Sequence, residues 1–305
     1  MKTHWQLIDS AAKWPPRDSA GAVVFDEQLW LIGGFTFADG TFRRLRDVWR
    51  SADGRRWNRL VAEAPWAARN LAGCVVFEDR LYLMSGFDGV RTLADVWCST
   101  DGISWECVAS HTPWGARGAF GCVVYDGRLW VFGGLGWEGR RHHADVWSST
   151  DGVNWEPVEA RASWGERAMF PAVVHDEAMW VLGGGNYHDP TASVSDVWRS
   201  SDGVRWERIT PEAGWAPRRF HKAVSHDGAL WVLGGATVGS INQRDVWMTR
   251  TGRDWKCVDD PAPWDVRHEF GLLPAWGRVW LLGGFSGEIA GNIIYNDIWR
   301  MEVIS

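Results

Sequence analysis

The residues best suited to chemistry follow six Trp-x-x-Arg stretches, whose arginines are Arg17, Arg69, Arg117, Arg167, Arg218 and Arg267. Three residues come after each arginine. They read Asp18-Ser19-Ala20, Asn70-Leu71-Ala72, Gly118-Ala119-Phe120, Ala168-Met169-Phe170, Arg219-Phe220-His221 and His268-Glu269-Phe270. The last two triplets are the polar ones. A carboxylate beside an imidazole can move a proton, so Glu269 with His221 or His268 forms a candidate acid–base pair. Arg219 or Arg218 could hold a carboxylate on the molecule acted upon. Such a set suits an epimerase or lyase working on a small acidic molecule, for example an acidic sugar. His221, His268 and Glu269, with His188, have ligand chemistry for zinc or iron. No HxH or HxxxH spacing supports a metal, so polar lining is the preferred reading and no metal or cofactor is expected.

The elements that must position these groups come from an internal repeat. Asp-Val-Trp occurs at Asp47, Asp95, Asp145, Asp196 and Asp245, and Asp297-Ile298-Trp299 is a sixth copy. The units are about 50 residues long and fill nearly the whole chain. Each holds four short β-rich runs joined by Asp-Gly-type turns, a strong hairpin signal. Six units of four antiparallel strands predict an all-β chain: a six-bladed β-propeller occupying residues 1–305 as one domain. No stretch shows a competing helical period. The sixth unit ends after its third strand, and Trp5-Gln6-Leu7-Ile8 looks like its missing fourth. The N-terminal strand is therefore expected to close the last blade and remove an open seam.

The chain has 25 tryptophans in 305 residues. Four columns absorb 23 of them: Trp5 to Trp255 in the last strands, Trp14 to Trp264 before the arginines, Trp30 to Trp280 in the second strands with Tyr82 standing in once, and the Asp-Val-Trp column. They are expected to pack blades. Trp137 and Trp276 remain. The Trp-x-x-Arg arginines could form a cation ring for an anion. A feature present in every blade reads better as scaffold, each arginine forking onto a carboxylate or backbone carbonyls to lock neighbouring blades.

The loops after strands two and four share one face and are longer and more varied. Binding chemistry usually sits on such loops. Five of the nine histidines fall there: His142, His143, His188, His221 and His268. Asn186, Tyr187 and Asp189 join them, with Trp137, Phe35, Phe37, Phe87 and Phe285. The expected ligand-binding set is Arg219, Trp137, Tyr187, His188, Asn186, Phe120, Phe170 and Phe270, an aromatic mouth with an off-centre polar patch. His175 and His226 lie near the opposite face and read as structural.

The Gly-Gly pairs at 33–34, 133–134, 183–184, 234–235 and 283–284, with Ser85-Gly86 in unit two, resemble kelch repeats, as do the arginine before the first strand and the tryptophan in the last. The resemblance covers essentially the whole chain and implies a propeller. Kelch propellers serve as protein-interaction modules, and related ones are enzymes: a copper-radical oxidase, a sialic-acid epimerase and iron-dependent specifier proteins. The chain lacks the specifier group's Glu-x3-Asp-x3-His run. Its cysteines sit in apolar strand runs rather than beside the tyrosine that a copper-radical crosslink needs. A sialidase would need a tyrosine nucleophile, for which Tyr295 is the one candidate. Ser51-Ala52-Asp53-Gly54 and Ser99-Thr100-Asp101-Gly102 resemble the Asp-box turns of sialidases, spaced one residue shorter, and those turns are structural.

Composition narrows the partners. Net charge is −6 with no basic block, which argues against nucleic acid. No apolar run is long enough to span a membrane, and no secretory leader is apparent. The five cysteines include no CxxC and are expected as reduced thiols in a cytoplasmic compartment. The expected protein is a monomer that takes a small molecule or peptide in its central funnel. The alternative is a metal-independent epimerase, lyase or isomerase acting in the same place.

Overall fold

A computed structural model describes residues 2–38, 41–287 and 291–304. Six four-stranded antiparallel sheets follow one another around an axis. Blade one comprises Gly21–Phe25, Gln28–Ala38, Thr41–Ser51 and Asn58–Val61, each paired with the next. The first strands of the six blades are Gly21–Phe25, Gly73–Phe77, Gly121–Tyr125, Ala172–His175, Lys222–His226 and Gly271–Ala275. They touch their neighbours in a closed circle, first to last included, and line a central channel. Blade six is completed by Lys2–Asp9 pairing antiparallel with Ile293–Ile304, from Lys2↔Ile304 to Leu7↔Trp299. Among the described residues helix is confined to two 3-10 turns, Pro190–Ala192 and Val238–Ser240, and none is long or apolar enough to cross a membrane.

The tryptophan columns pack the blades. Each tryptophan before an arginine meets the last-strand tryptophan edge-on, as in Trp14–Trp57 at 6.1 Å and Trp264–Trp5 at 5.9 Å. Such aromatic pairs add roughly 0.5–1.5 kcal/mol beyond their burial. Second-strand tryptophans lie under the turn glycine of the next blade; a Cβ on Gly102 would come 2.0 Å from the Trp30 ring. Those turns have the expected box geometry. Ser99 Oγ accepts from the Gly102 amide at 2.8 Å, and Asp101 Oδ1 accepts from the amides of Ile103 and Ser104. Trp276 donates to the Glu27 carbonyl at 3.1 Å and stands edge-on to Trp280, joining blades six and one.

The arginine column is scaffold. In all six blades one guanidinium nitrogen reaches the Asp-Val-Trp carboxylate at 2.6–2.7 Å. The same nitrogen donates to the carbonyl of the first residue of the Gly-Gly pair, Gly33 for Arg17 and Ser85 for Arg69. The tryptophan of the triplet donates to the second carboxylate oxygen, as Trp49 does to Asp47 at 2.7 Å. Meanwhile the arginine backbone binds the preceding blade: Arg69 N–H donates to Leu45, and Gly34 N–H donates to Arg69. The pair thus lets one residue hold two blades, and its glycines provide the close approach. A Cβ on Gly34, at φ +104°, would sit 2.6 Å from the Asp18 carbonyl oxygen.

Three of the expected long loops are continuations of strands. Blade one runs on to Phe37↔Phe42 and Ala38↔Thr41, blade three to Gly136↔Arg141, and blade six to Ser286↔Ile293. The tips at 39–40 and 288–290 lie outside the described residues. The five cysteines are free thiols, Cys98 buried and Cys107 and Cys257 exposed.

Candidate functional site

Past each locked arginine the chain turns into the channel. The second residue after the arginine is left-handed in every blade: Ser19, Leu71, Ala119, Met169, Phe220 and Glu269, with φ between 50° and 58°. None is glycine, so each costs about 1–2 kcal/mol that the surroundings must offset. A belt of backbone hydrogen bonds does so. Ser19 N–H donates to Glu269 O at 2.8 Å, Glu269 to Phe220 at 3.1 Å, Phe220 to Met169 at 2.9 Å, Met169 to Ala119 at 2.9 Å, and Ala119 to Leu71 at 3.0 Å. This belt holds six consecutive blades in register and aims its side chains at the axis.

Those side chains surround a cavity of about 100 Å3 whose polar members are Ser19, His221, Lys222 and Glu269, among walls that include Phe120, Phe170, Met169 and Phe220. Asp18 lies beside it, 3% exposed. Burial raises the Glu269 carboxyl to about 7, opposed by the Ser19 hydroxyl and the Lys222 ammonium. Burial also pushes Asp18 well above the usual carboxylate range, and the Glu269 charge adds to that rise. The two carboxyls therefore resist carrying two charges together. Lys222 is lowered by burial, against the pull of Glu269, Cys122 and Asp18. His268 falls to about 3 through burial, then Arg219 and Lys222. His221 falls well below its ordinary value through burial and the Arg218 charge. Both imidazoles are neutral at physiological pH.

Asp18 Oδ1, Ser19 Oγ and both ring nitrogens of His221 are buried without a hydrogen bond of ordinary geometry; Ser19 still acts on Asp18 and Glu269, and the Leu182 backbone on the His221 ring. His221 is only 2% exposed, tilted on Trp215 at 5.3 Å. A buried polar group without a partner costs about 1–3 kcal/mol.

The candidate residues take different places. Glu269 and His221 share the cavity. His268 stands behind Glu269, its Nε2 3.6 Å from Oε2, with Nδ1 held by Asn242 Oδ1 at 2.5 Å. Phe120 and Phe170 form walls of the cavity, whereas Phe270 is fully buried against Trp264 and borders only the next section of channel. Arg219 donates to the carbonyls of Asn186 and Tyr187, both at 3.2 Å. The Asn186 side chain accepts from the His188 and Asp189 amides, closing its own turn. Trp137 stacks on Phe87 at 4.6 Å and contacts Tyr187 at 4.6 Å. His188, exposed, stands edge-on to Trp137 at 6.4 Å. The chain of rings continues through Phe220, His268 and Phe285, and Arg44 lies 5.0 Å from both Phe35 and Phe87. An aromatic collar thus crosses all six blades around the mouth. Tyr295 packs under the Arg267 guanidinium, 3.9 Å from its ring centre, and belongs to the scaffold.

Sequence reading missed Asp18, Ser19, Lys222, Arg44 and Asn242. The signal for Lys222 was present: its column otherwise reads Gly21, Gly73, Gly121, Pro171 and Gly271. Among the described residues no group of three or more His, Cys, Asp or Glu side chains is arranged to hold a metal ion.

No family model matches the chain, and no curated protein sequence is similar to it. In structure, 565 solved chains match, so the architecture is common property of many proteins. One of them, YjhT, has a TM-score of 0.76 over 96% of both chains at 15% identity. The chain is a six-bladed β-propeller. At that identity the likeness extends to the fold alone, and this propeller's function must be argued from its channel.

Proposed function

We propose that this chain is a kelch-type propeller that binds a small polar molecule at the long-loop end of its channel, between Glu269, Lys222, His221 and Ser19. The observation that carries the reading is the convergence of a carboxyl, an amine, an imidazole and a hydroxyl on one cavity among aromatic and apolar walls. A ligand that hydrogen-bonds to Glu269 and Lys222 offsets part of the cost of burying them, which favours binding at this point. The cavity's size, about 100 Å3, suits a ligand or group of a few heavy atoms. The test is a crystallographic fragment screen on wild type and His221→Leu. Polar fragments should occupy the channel in wild type and be lost in the variant. A screen with no channel-bound fragment would overturn the reading.

One observation favours catalysis as a second reading. A carboxyl titrating near 7 is matched to proton transfer at neutral pH. The reaction would be a metal-independent epimerisation, lysis or isomerisation, with Glu269 as acid–base and His221 and His268 as neutral neighbours. Once a substrate is found, Glu269→Gln should lower kcat by about 100-fold or more, and an unchanged kcat excludes Glu269 from the chemistry. On both readings the partner is a small molecule, neither nucleic acid nor membrane, and the protein is a cytoplasmic monomer. Light scattering on the purified chain checks its oligomeric state.

A further inference from the structure

Lysine is scarce in this chain. Of its 32 lysines and arginines, only Lys2, Lys13, Lys222 and Lys256 are lysines. Lys2, Lys13 and Lys256 are exposed. The fourth stands in the channel, at a position that is glycine in four other blades and proline in the fifth.

Three cavities succeed one another along the axis. The mouth cavity shares Ala20, Ala72, Phe120, Phe170, Pro171 and Lys222 with a section of about 220 Å3 below it. Lys222 is the one charged side chain in the wall of that lower section, whose other residues are mostly glycine, alanine and cysteine with three larger rings and present much backbone. Farther on, the channel widens into a valine-rich funnel of about 490 Å3, bounded by Val23, Val76, Val124 and Val174 among others. Lys222 is thus an amine on the inside of a tube with no other charged side chain at its level, and a carboxyl pair stands at its upper end. Arginine, which the chain uses almost everywhere else, stays charged and cannot act as a nucleophile; lysine can, and burial favours its neutral form.

Resting on the channel as the ligand site, we propose that Lys222 is a reactive amine that joins small aldehydes or ketones to the protein as an imine, with Glu269 as its proton-transfer partner. The Nζ lone pair attacks the carbonyl carbon, and the C=O π pair moves onto oxygen. Glu269 relays a proton from nitrogen to that oxygen, giving a carbinolamine. The Glu269 carboxyl then protonates the hydroxyl, the C–O bond breaks, and water leaves as the nitrogen pair forms C=N. The proton on the iminium nitrogen returns to Glu269. The net change is amine plus carbonyl to imine plus one water, with no oxidant or reductant. The narrow section around Lys222 limits the size of the carbonyl compound, and the valine-rich funnel beyond it accepts the alkyl part.

The experiment uses the intact wild-type protein, so folding of a variant is not a condition of the result. The protein is incubated with propanal, and separately acetone, in the presence of sodium cyanoborohydride, then digested and mapped by mass spectrometry. The expected result is reductive alkylation of Lys222 about tenfold or more faster than of Lys2, Lys13 and Lys256, with Glu269→Gln slowing Lys222 alone by a similar factor. Lys222→Arg should remove the fast phase and leave the other three lysines unchanged. Labelling of Lys222 no faster than of the three exposed lysines overturns the proposal. That failure leaves the ligand-site reading intact, because the fragment screen on His221→Leu tests it independently.

Discussion

Glu269 and His268 sit side by side, yet burial moves their titration in opposite directions. The reason is that low polarity penalises whichever form carries charge. Glu269 rises from 4.5 to about 7, so the folded state keeps a proton that the unfolded chain has released. Its contribution to stability is complete below pH 4.5 and is lost as pH rises through 7. Glu269→Gln should therefore stabilise the protein at pH 8 by about 2 kcal/mol and leave it unchanged near pH 4, as read by calorimetry at the two pH values. His268 falls from 6.5 to about 3, so it stays neutral in the fold. Stability carried by that neutral ring is present above pH 6.5 and lost as pH falls toward 3. An NMR titration should show the His268 ring signal flat between pH 7 and about 4. A midpoint near 6 would show that the ring is solvated.

At the scale of the element, the blade is held by its arginine and its turn glycine. Arg117 is fully buried, bonds Asp145 through both terminal nitrogens, and donates to Gly133 and Trp114. Removing it leaves a mostly buried carboxylate with the Trp147 indole as hydrogen-bond donor and His143 nearby, neither of which replaces the fork. Arg117→Met should cost about 3–5 kcal/mol in urea denaturation. Arg117→Lys should rescue little, because an ammonium cannot reproduce the fork. Two glycines with similar backbones make a second test. Gly127, at φ +63°, has nothing near its missing Cβ, so Gly127→Ala carries only a backbone cost of about 1 kcal/mol. Gly102, at φ +69°, faces the Trp30 ring at 2.0 Å, so Gly102→Ala adds an overpacking cost of about 1–3 kcal/mol. Equal losses for the two would refute the idea that the turn glycine is a contact between blades.

For the whole molecule, closure is the deciding feature. The strand Lys2–Asp9 supplies the outer edge of blade six, and Trp5 supplies the partner of Trp264. Removing residues 1–9 should leave Ile293–Ile304 as an open edge. The truncated protein is expected to melt at lower temperature and to associate with rising concentration, read by light scattering. A monomeric truncation with the parental Tm would mean that the seam is not needed. The ring also brings Ser19 and Glu269, 250 positions apart in sequence, into backbone contact. The carboxyl pair and Lys222 therefore exist only in the closed ring.

The architecture was legible because it is repeated. Six copies of one pattern announce strand number, turn positions and the packing of 23 tryptophans. A feature present in all six blades, such as the arginine fork, could be assigned to scaffold from that regularity. Glu269 and His221 stood out in their rows, and both line the cavity. Asp18 and Lys222 did not stand out. Asp18 belongs to blade one, which meets blade six only across the closure, and Lys222 departs from a column of glycines whose inward direction no linear pattern states. The loops read as irregular were partly strand, because their pairing depends on how far two neighbouring strands continue together. The sequence alone determined the fold, since period and side-chain type are local properties. The tertiary structure decided the site: burial and the separation between charges set the protonation of Glu269, Asp18, Lys222 and His268, and both are produced by segments that meet only when the ring closes.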